Sequence, residues 1–272
     1  MVWLFLLPTF AAFCIGFLYP FLKGAFLSFC KFKLTSQWTW VGFDNYVKAF
    51  SDSSFLHAFW YTALFAVVSL LLINVLSFAV AYALTRGIKG TNIFRTVFFM
   101  PNLIGGIVLG YIWSMIFDGI LVKYNTSVVL ESKYGFWGLI ILMCWQQIGY
   151  MMIIYIAGIQ NIPGDLIEAA KIDGASEWKV FLKIVMPNVK PAWLTLIIFS
   201  VQNLWNNRAS TYIYTEKRKT LVYALQQIQS GGVARTGQMA AVSVIVMIVP
   251  IIVFVLSQSQ VLETMASSGI KE

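Results

Sequence analysis

Six long apolar segments decide the solvent in which this chain can fold. They lie at about residues 3–22, 56–84, 94–117, 136–157, 192–205 and 239–257. Of the 272 residues, 59% are apolar and 11% are charged, whereas soluble domains carry about a quarter charged residues. Because a backbone inside a bilayer must satisfy its own hydrogen bonds, only helices or closed barrels span it. The runs are far longer than the roughly ten-residue alternating strands of a barrel, so an all-α membrane protein with six transmembrane helices is predicted.

The first and fifth segments depart from the ordinary pattern. Segment 3–22 lacks the basic n-region and the small-residue cleavage site of a signal peptide, so we expect a retained helix. Segment 192–205 is short, and polar residues interrupt it: Gln202, Asn203, Asn206, Asn207 and Arg208. A short or polar-interrupted segment is the best sequence indication of a transport site near the middle of the membrane. The alternative is that these side chains only hold neighbouring helices together, at about 0.6 kcal/mol each.

The loop after the first segment and the overall charge both favour a membrane interface. Amphipathic aromatic side chains are typical of that depth, and "QWTWVGFDNY" supplies Trp38, Trp40, Phe43 and Tyr46. Asp44 is positioned to cap a short helix along the interface. The net charge of +8 is assigned to Lys and Arg beside the lipid bilayer, and no nucleic acid is expected as a partner. The three cysteines are scattered, which predicts neither a metal site nor a disulfide framework.

Six crossings place both termini on the same side of the membrane. The distribution of Lys and Arg residues argues against that side being the cytoplasm. With cytoplasmic termini, eight of the 19 Lys and Arg residues lie inside and eleven lie outside. The positive-inside rule therefore opposes this topology, although a basic leader ahead of Met1 would redress the balance. No loop is long enough to form a separate domain, so one membrane domain over residues 1–272 is expected.

One charged, helix-forming segment stands between the fourth and fifth crossings. "EAAKIDGASEWKVFLKIVMPNVKP" runs from Glu168 to Pro191. Asp165 is positioned as an N-cap, and with Glu168 it makes a D-x-x-E variant of the capping box. Gly174 follows the last helical position, where a left-handed residue is usual. A second helix over 176–185 presents its apolar side chains on one side, and two prolines then end it. Two short helices joined by a glycine are predicted.

Small alanines flanked by charge suit docking into a groove of another protein, and the alternative is a solvated connector. "EAAKIDGAS" followed by "IVMPNVKP" resembles the EAA-loop signature of the membrane subunits of binding-protein-dependent ABC importers. "WQQIGYMMIIYIAGIQNIP" is similar to the carbohydrate branch of that family, the maltose permease subunits, as are "VGFDNY", "FFMPNLI" and "ETMASSGIKE". The resemblance covers essentially the whole chain. It departs at Met186, where Leu commonly precedes the proline.

The resemblance implies an architecture and a set of partners. Residues 159–191 would be a cytoplasmic coupling (EAA) helix pair between helices 4 and 5 of a type I importer domain. The first helix would dock in a cleft of an ATPase subunit through Glu168, Ala169, Ala170, Asp173 and Gly174. The implied partners are a second, unlike permease subunit, two copies of a cytoplasmic ATPase and an extracellular or periplasmic solute-binding protein. The implied location is the bacterial plasma membrane, with both termini cytoplasmic.

A nucleotide site in the chain itself is not expected. The P-loop pattern requires G-x-x-x-x-G-K-[ST], and "RGIKGT" at residues 86–91 fails that spacing. We therefore expect no enzyme activity and no cofactor in this chain. ATP and magnesium would be bound by the partner ATPase subunits.

The cargo implied by the carbohydrate branch is a sugar or oligosaccharide. Aromatic rings that stack on pyranose faces and amides that bond hydroxyls occur in the crossings, at Trp145, Gln146, Tyr150, Asn203 and Asn206. The alternative for Trp145 and Tyr150 is lipid-interface anchoring. A peptide or another polar solute as cargo is disfavoured by the carbohydrate resemblance. A channel or a secondary transporter would need ionisable residues or a filter within the crossings, which contain such residues only at their ends.

Overall fold

The computed structural model describes residues 2–34, 37–207 and 218–268. Its α-helices are α1 (Val2–Phe13), α2 (Tyr19–Leu27), α3 (Asp44–Ser51), α4 (Ser53–Leu84), α5 (Thr91–Phe99), α6 (Gly106–Leu121), α7 (Ser132–Gln160), α8 (Gly164–Ile172), α9 (Glu177–Val180), α10 (Met186–Asn188), α11 (Lys190–Trp205), α12 (Leu221–Gln229) and α13 (Thr236–Ser268). These ranges also contain two strands, β1 (Cys30–Leu34) and β2 (Gln37–Trp40), and short π-helical or 3₁₀ segments such as Cys14–Leu18 and Phe181–Val185. Arg208 of the predicted polar interruption lies outside the described residues.

Four helices are long and apolar enough to cross a membrane. They span Leu6–Leu27, Ser53–Leu84, Lys133–Gln160 and Val233–Ser259, in agreement with the first, second, fourth and sixth predicted crossings. At 1.5 Å per residue the 32-residue α4 is about 48 Å long, against a hydrocarbon core of about 30 Å. It therefore projects beyond the core or crosses it at a tilt.

The third predicted crossing, 94–117, is not one continuous helix. Helix α5 passes into a 3₁₀ turn over Met100–Leu103, and α6 then begins at Gly106. The two limbs meet at 103°. Pro101 lies in the first positions of the 3₁₀ turn, where it supplies no backbone N–H. The chain is extended at Ile104 and Gly105. The apolar run gave no indication of this break, because hydropathy does not depend on local backbone geometry.

The fifth predicted crossing is helical but follows a bend. The segment Glu177–Asn188 meets Lys190–Trp205 at 65°, and the bend falls at Val189, which has φ −88° and ψ 7°. Pro191 lies in the first turn of α11, where its ring is tolerated. If each bent pair counts as one span, the chain has up to six candidate spans.

The loop after α2 corrects the all-α prediction. Strands β1 and β2 form an antiparallel hairpin that pairs Cys30 with Trp40 and Phe32 with Trp38. Cys30 and Phe32 are buried while Lys31 is exposed, which is the alternation of a half-buried strand. The predicted cap at Asp44 is also wrong, because α3 begins at Asp44 itself with Phe43 as N-cap. The Asp44 carboxylate instead pairs with Lys48 Nζ at 2.5 Å.

The chain divides into two compact units. The first comprises Met1–Tyr61 with Lys219–Ile251. In it, Asn45 Nδ2 donates to the carbonyls of Ser28 and Cys30 at 2.8 and 2.9 Å. These bonds hold α3 on the hairpin.

The second unit comprises Thr62–Arg218 with Ile252–Glu272. Its core includes the fully buried side chains of Ile73, Ile140, Met151, Leu196 and Leu204. They come from α4, α7 and α11, and the EAA loop belongs to the same unit.

Candidate coupling loop and substrate path

Helix α8 ends in a Schellman motif centred on the predicted glycine. Gly174 has φ +72°, its N–H bonds Lys171 O at 3.1 Å, and the N–H of Ala175 bonds Ala170 O at 2.9 Å. Those two bonds satisfy carbonyls at the helix end. The left-handed conformation predicted at Gly174 is confirmed, and it turns the chain sharply between α8 and α9.

The start of α8 differs from the predicted cap. Pro163 is the N-cap, without a side-chain cap bond, and Asp165 lies inside the first turn. The D-x-x-E capping box of Asp165 and Glu168 is therefore wrong. The helix begins two residues earlier than expected, so Asp165 acts on its N-terminus only as a nearby anion, which the helix dipole favours.

Helix α9 does carry a side-chain cap, and it sits on a small core. Ser176 Oγ accepts a hydrogen bond from the N–H of Lys179 at 3.3 Å. Val180 and Val185 are buried together with Ile162 and Val189. The apolar side predicted for segment 176–185 is confirmed, although the segment is α-helical only over Glu177–Val180 and π-helical over Phe181–Val185. This packing anchors the second EAA helix to the helices around it, whereas α8 has no buried residue.

The five predicted coupling residues fall into two groups, one packed against the protein and one exposed. Ala170 is half-buried and packs against the small core under α9. Exposed positions are Glu168, Ala169, Asp173 and Gly174. The sequence interpretation missed Ile172, which lies four residues after Glu168 on the same helix face and is 79% exposed. Its i, i+4 spacing from Glu168 was the available signal. With Leu166, which is 48% exposed, Ile172 leaves two large apolar side chains of α8 uncovered.

A second missed feature links this loop to the end of α4. Arg86 Nη2 lies 2.6 Å from Glu177 Oε2, and Lys171 Nζ lies 3.5 Å from Glu177 Oε1. The Arg86 guanidinium also lies over the Tyr82 ring, 4.6 Å from its centroid. The hydrogen bond from Arg86, followed by the charge of Lys171, holds the pKa of the Glu177 carboxyl below its usual range. Sequence spacing contained no signal for this pair, because 91 residues separate its members.

The predicted substrate residues of α7 differ in exposure and do not share one helix face, since Trp145 and Tyr150 are five residues apart. Trp145 is 41% exposed and Tyr150 is 37% exposed, while Gln146 is half-buried. Trp145 meets Trp113 of α6 edge-on, with ring centroids 5.4 Å apart, and Trp113 in turn contacts Phe117 at 5.0 Å. Trp145 therefore belongs to an aromatic cluster shared by α6 and α7, which the sequence interpretation did not identify.

The predicted substrate residues of α11 are exposed near its end. Asn203 lies in the last turn and Asn206 directly follows the final helical residue; both side chains are accessible. Asn207 has a different environment, since its Nδ2 lies 3.4 Å from the Met143 sulfur of α7. Thus Asn207 contributes to packing between α7 and α11, whereas Asn203 and Asn206 are accessible to a solute.

A family model and several transport permeases match most of this chain. Residues 83–265 match the family model described as "Binding-protein-dependent transport system inner membrane component". The chain is 39% identical over 209 residues to a probable permease of the starch degradation products transport system of Thermoanaerobacterium thermosulfurigenes, covering 74% of this chain and 72% of that protein. It is 28% identical over 273 residues to the arabinooligosaccharides transport permease of Bacillus subtilis, covering 94% and 86%.

Solved structures share the fold. A bacterial ABC transporter involved in the import of the acidic polysaccharide alginate has a TM-score of 0.76 at 20% identity, covering 100% of this chain and 96% of that one. An alginate ABC transporter in complex with its alginate pentasaccharide-bound periplasmic protein also has a TM-score of 0.76, at 18% identity, covering 94% and 92%.

Proposed function

The chain belongs to the family of binding-protein-dependent transport system inner membrane components, and we propose from this premise that it is the permease subunit of an ATP-driven importer. Its cargo is a sugar or an oligosaccharide, delivered by an extracellular binding protein. The observation that carries the cargo assignment is the 39% identity to a permease named for starch degradation products. Import of the sugar proceeds by alternating access.

We propose that the EAA loop transmits the ATP-driven movement of an ATPase subunit to the permease. The exposed face of α8, with Glu168, Ala169 and Ile172, docks in a cleft of a cytoplasmic ATPase subunit. Support comes from the exposed apolar side chain of Ile172 and from the elbow between α8 and α9 fixed at Gly174. Because α9 packs on buried side chains, a push on α8 moves the surrounding helices as a body rather than bending a loose connector.

The full assembly is proposed to contain two copies of the ATPase and a second, unlike permease subunit of the same family. ATP-dependent closure of the ATPase pair draws two coupling helices together and shifts the permease pair between inward-facing and outward-facing packings. ATP and magnesium are bound by the ATPase subunits. An extracellular binding protein supplies the sugar at the opposite face, as the complex with alginate-bound periplasmic protein illustrates for a protein of the same fold.

The sugar path is proposed to run past the accessible aromatic and amide side chains. Trp145 and Tyr150 offer ring faces for stacking on pyranose rings, and Gln146, Asn203 and Asn206 offer donors and acceptors for hydroxyl groups. The exposure of these groups supports the assignment. Transport of a series of α-glucans and pentose oligosaccharides in proteoliposomes tests it. Uptake of none of them, with uptake of a peptide instead, would contradict the sugar assignment.

We propose six crossings of the bacterial inner membrane, the third formed by the bent pair α5 and α6 and the fifth by α11 alone, with both termini cytoplasmic. In a variant without native cysteines, Lys179→Cys should react with an impermeant maleimide only after permeabilisation, whereas Ser230→Cys should react directly in intact cells. Both positions are exposed. The reverse pattern would mean that the positive-inside count was right and that the loop faces outward.

A further inference from the structure

An apolar groove on the second unit is used by neither the coupling loop face nor the sugar path. It has a volume of about 860 Å³ and lies between α4, α7, α9 and α11. Its walls include Phe78, Tyr82, Trp178, Phe181 and Trp193. Phe78 and Phe181 meet edge-on at 5.6 Å, and Tyr82 and Phe181 do the same at 5.6 Å. We call this feature the aromatic groove.

The two ends of the aromatic groove differ in chemistry. At one end, Arg86 and Glu177 line the opening, and Lys171 Nζ approaches Glu177 at 3.5 Å. Two cations and one carboxylate give this mouth a net charge of about +1. At the other end, Tyr155 donates its hydroxyl hydrogen to Asn74 Oδ1 at 2.8 Å, so these polar groups satisfy each other within an apolar wall.

The length of the aromatic groove matches one leaflet. From Asn74 to Leu84, the last residue of α4, is ten residues, or about 15 Å at 1.5 Å per residue, and Arg86 follows two residues later. Half of a hydrocarbon core of about 30 Å is about 15 Å. The charged mouth therefore falls at headgroup level when the Asn74 end is near the middle of the bilayer.

The lining of the aromatic groove and the charge of its mouth decide what fills it. A sugar would leave its hydroxyls against aromatic walls without partners, which is costly. An apolar transmembrane helix of another subunit would suit the walls but would bring no anion to the net positive mouth. An anionic phospholipid matches both, because its acyl chains cover the apolar walls and its phosphate meets the cations.

We infer that the aromatic groove binds an anionic phospholipid. An acyl chain lies along Phe78, Phe181 and Trp193, and the phosphate meets Arg86 and Lys171 at the mouth. Basic pockets between transmembrane helices are a known means of holding anionic headgroups. Both side-chain bonds of Arg86 come from Nη2, and a guanidinium has five N–H donors. Arg86 can thus contact a phosphate without releasing Glu177. The inference rests on the proposed function only for the topology that makes this the cytoplasmic leaflet.

The test uses the complete importer in lipid nanodiscs. The discs contain phosphatidylcholine with a small, equal fraction of either phosphatidylglycerol or phosphatidylcholine brominated on the acyl chains, and bromine quenches tryptophan fluorescence on contact. We expect the wild type to prefer brominated phosphatidylglycerol by about fivefold, which corresponds to about 1 kcal/mol. In Trp193→Phe the selective part of the quenching should fall, because that indole lines the groove.

Variants at the mouth locate the headgroup contact. Arg86→Gln combined with Lys171→Gln should reduce the lipid preference to one. Lys179→Gln is the matched control, an exposed lysine of the same loop outside the groove lining, and it should retain the preference. Equal quenching by the two lipids in the wild type would overturn the inference, and so would a preference that survives the double variant. Cross-linking of Ala79→Cys to the other permease subunit would also overturn it by identifying a protein occupant.

Sugar uptake by the same importer, reconstituted into proteoliposomes of the same lipid composition, separates this inference from the proposed function. Normal sugar uptake without a lipid preference would overturn the phospholipid site alone. A lipid preference without uptake of any sugar would leave the phospholipid site intact and contradict the cargo assignment.

Discussion

Arg86 Nη2 lies 2.6 Å from Glu177 Oε2, so an ion pair joins the end of α4 to the start of α9. Lys171 at the end of α8 approaches the other oxygen of the same carboxylate at 3.5 Å. One side chain therefore connects three elements around the coupling elbow. Exposed pairs contribute little to stability, and the side chains of Arg86 and Glu177 are about half exposed. Under the proposed mechanism these pairs hold α8, α9 and the end of α4 in fixed relative positions when the ATPase moves the loop.

Breaking this ion pair should uncouple the transporter without unfolding it. Glu177→Gln should lower sugar uptake per ATP hydrolysed several-fold while the melting temperature changes little, because the pair is exposed. The charge-swapped double variant Arg86→Glu with Glu177→Arg should recover part of the loss. Uptake and ATPase rate in the same proteoliposomes check this. Equal losses in the swap and in the single variant would show that the two side chains act separately.

The pH dependence of this ion pair has a definite sign. Because the Arg86 hydrogen bond lowers the pKa of Glu177 in the folded chain, the pair stabilises the fold above the ordinary pKa of a glutamate. That contribution is lost as the pH falls through the lowered folded-state pKa. The coupling ratio, meaning sugar uptake per ATP hydrolysed, should therefore not change near neutral pH through titration of Glu177 in the wild type. A coupling ratio that falls in Glu177-containing protein, but not in Glu177→Gln, as the pH drops from 8 to about 6 would contradict this assignment.

Substitution of Gly174 should affect the elbow through backbone strain alone. A Cβ at this position meets nothing within 4 Å, but φ is +72°, and a left-handed L-residue costs about 1–2 kcal/mol. Gly174→Ala and Gly174→Asp should therefore reduce ATPase docking and uptake, and Gly174→Asn should reduce them less, because Asn tolerates this conformation. Pull-down of the ATPase and sugar uptake measure the effect. Wild-type docking and uptake in Gly174→Asp would require withdrawal of the coupling mechanism.

Charge reversal on the exposed face of α8 should separate docking from folding. Glu168→Lys alters an exposed side chain, so the subunit should still insert in the membrane. Loss of binding-protein-stimulated ATP hydrolysis is expected, because the substitution reverses a charge on the proposed docking face. Lys179→Glu on α9 is the matched control for a charge reversal elsewhere on the loop. If both variants lose activity equally, overall loop charge rather than the α8 face is responsible.

The contact between α5 and α7 should not tolerate even one methyl group. A Cβ on Gly149 would lie 1.9 Å from the backbone oxygen of Phe98, and backbone yields less than a flexible side chain. Gly149→Ala should destabilise the permease by about 1–3 kcal/mol or more, seen as a lower melting temperature and reduced membrane yield. Gly24→Ala is the control, since nothing lies within 4 Å of its Cβ. Equal behaviour of the two variants would contradict the close approach.

Two neighbouring asparagines should behave differently. Asn203→Ala removes an accessible amide, so kcat/KM for sugar uptake should fall or shift among sugars while basal ATPase activity and assembly persist. Asn207→Ala removes a contact with Met143, so it should lower thermal stability and leave the sugar preference unchanged. Uptake competition between sugars, together with melting curves, distinguishes the two effects. An unchanged sugar profile and uptake rate in Asn203→Ala would remove it from the path.

Local and compositional features of this protein were determined by the sequence itself. The long apolar runs require helices in a bilayer because no other continuous backbone satisfies its hydrogen bonds there. The left-handed turn at Gly174 follows from the one residue type without a Cβ, and the apolar spacing around Val180 and Val185 correctly predicted the buried side of the second EAA helix. Each of these depends on neighbours within a few positions along the chain.

Relationships between distant residues were decided only by the tertiary structure. Composition was compatible with a straight third crossing, yet the chain breaks after Pro101 and turns by 103°. The side-chain caps predicted at Asp44 and Asp165 were displaced because the helices begin one and two residues earlier than expected, respectively. The pairing of Arg86 with Glu177 bridges 91 residues. No periodicity encodes such a contact, because the packing of α4 against α9 determines which charges meet.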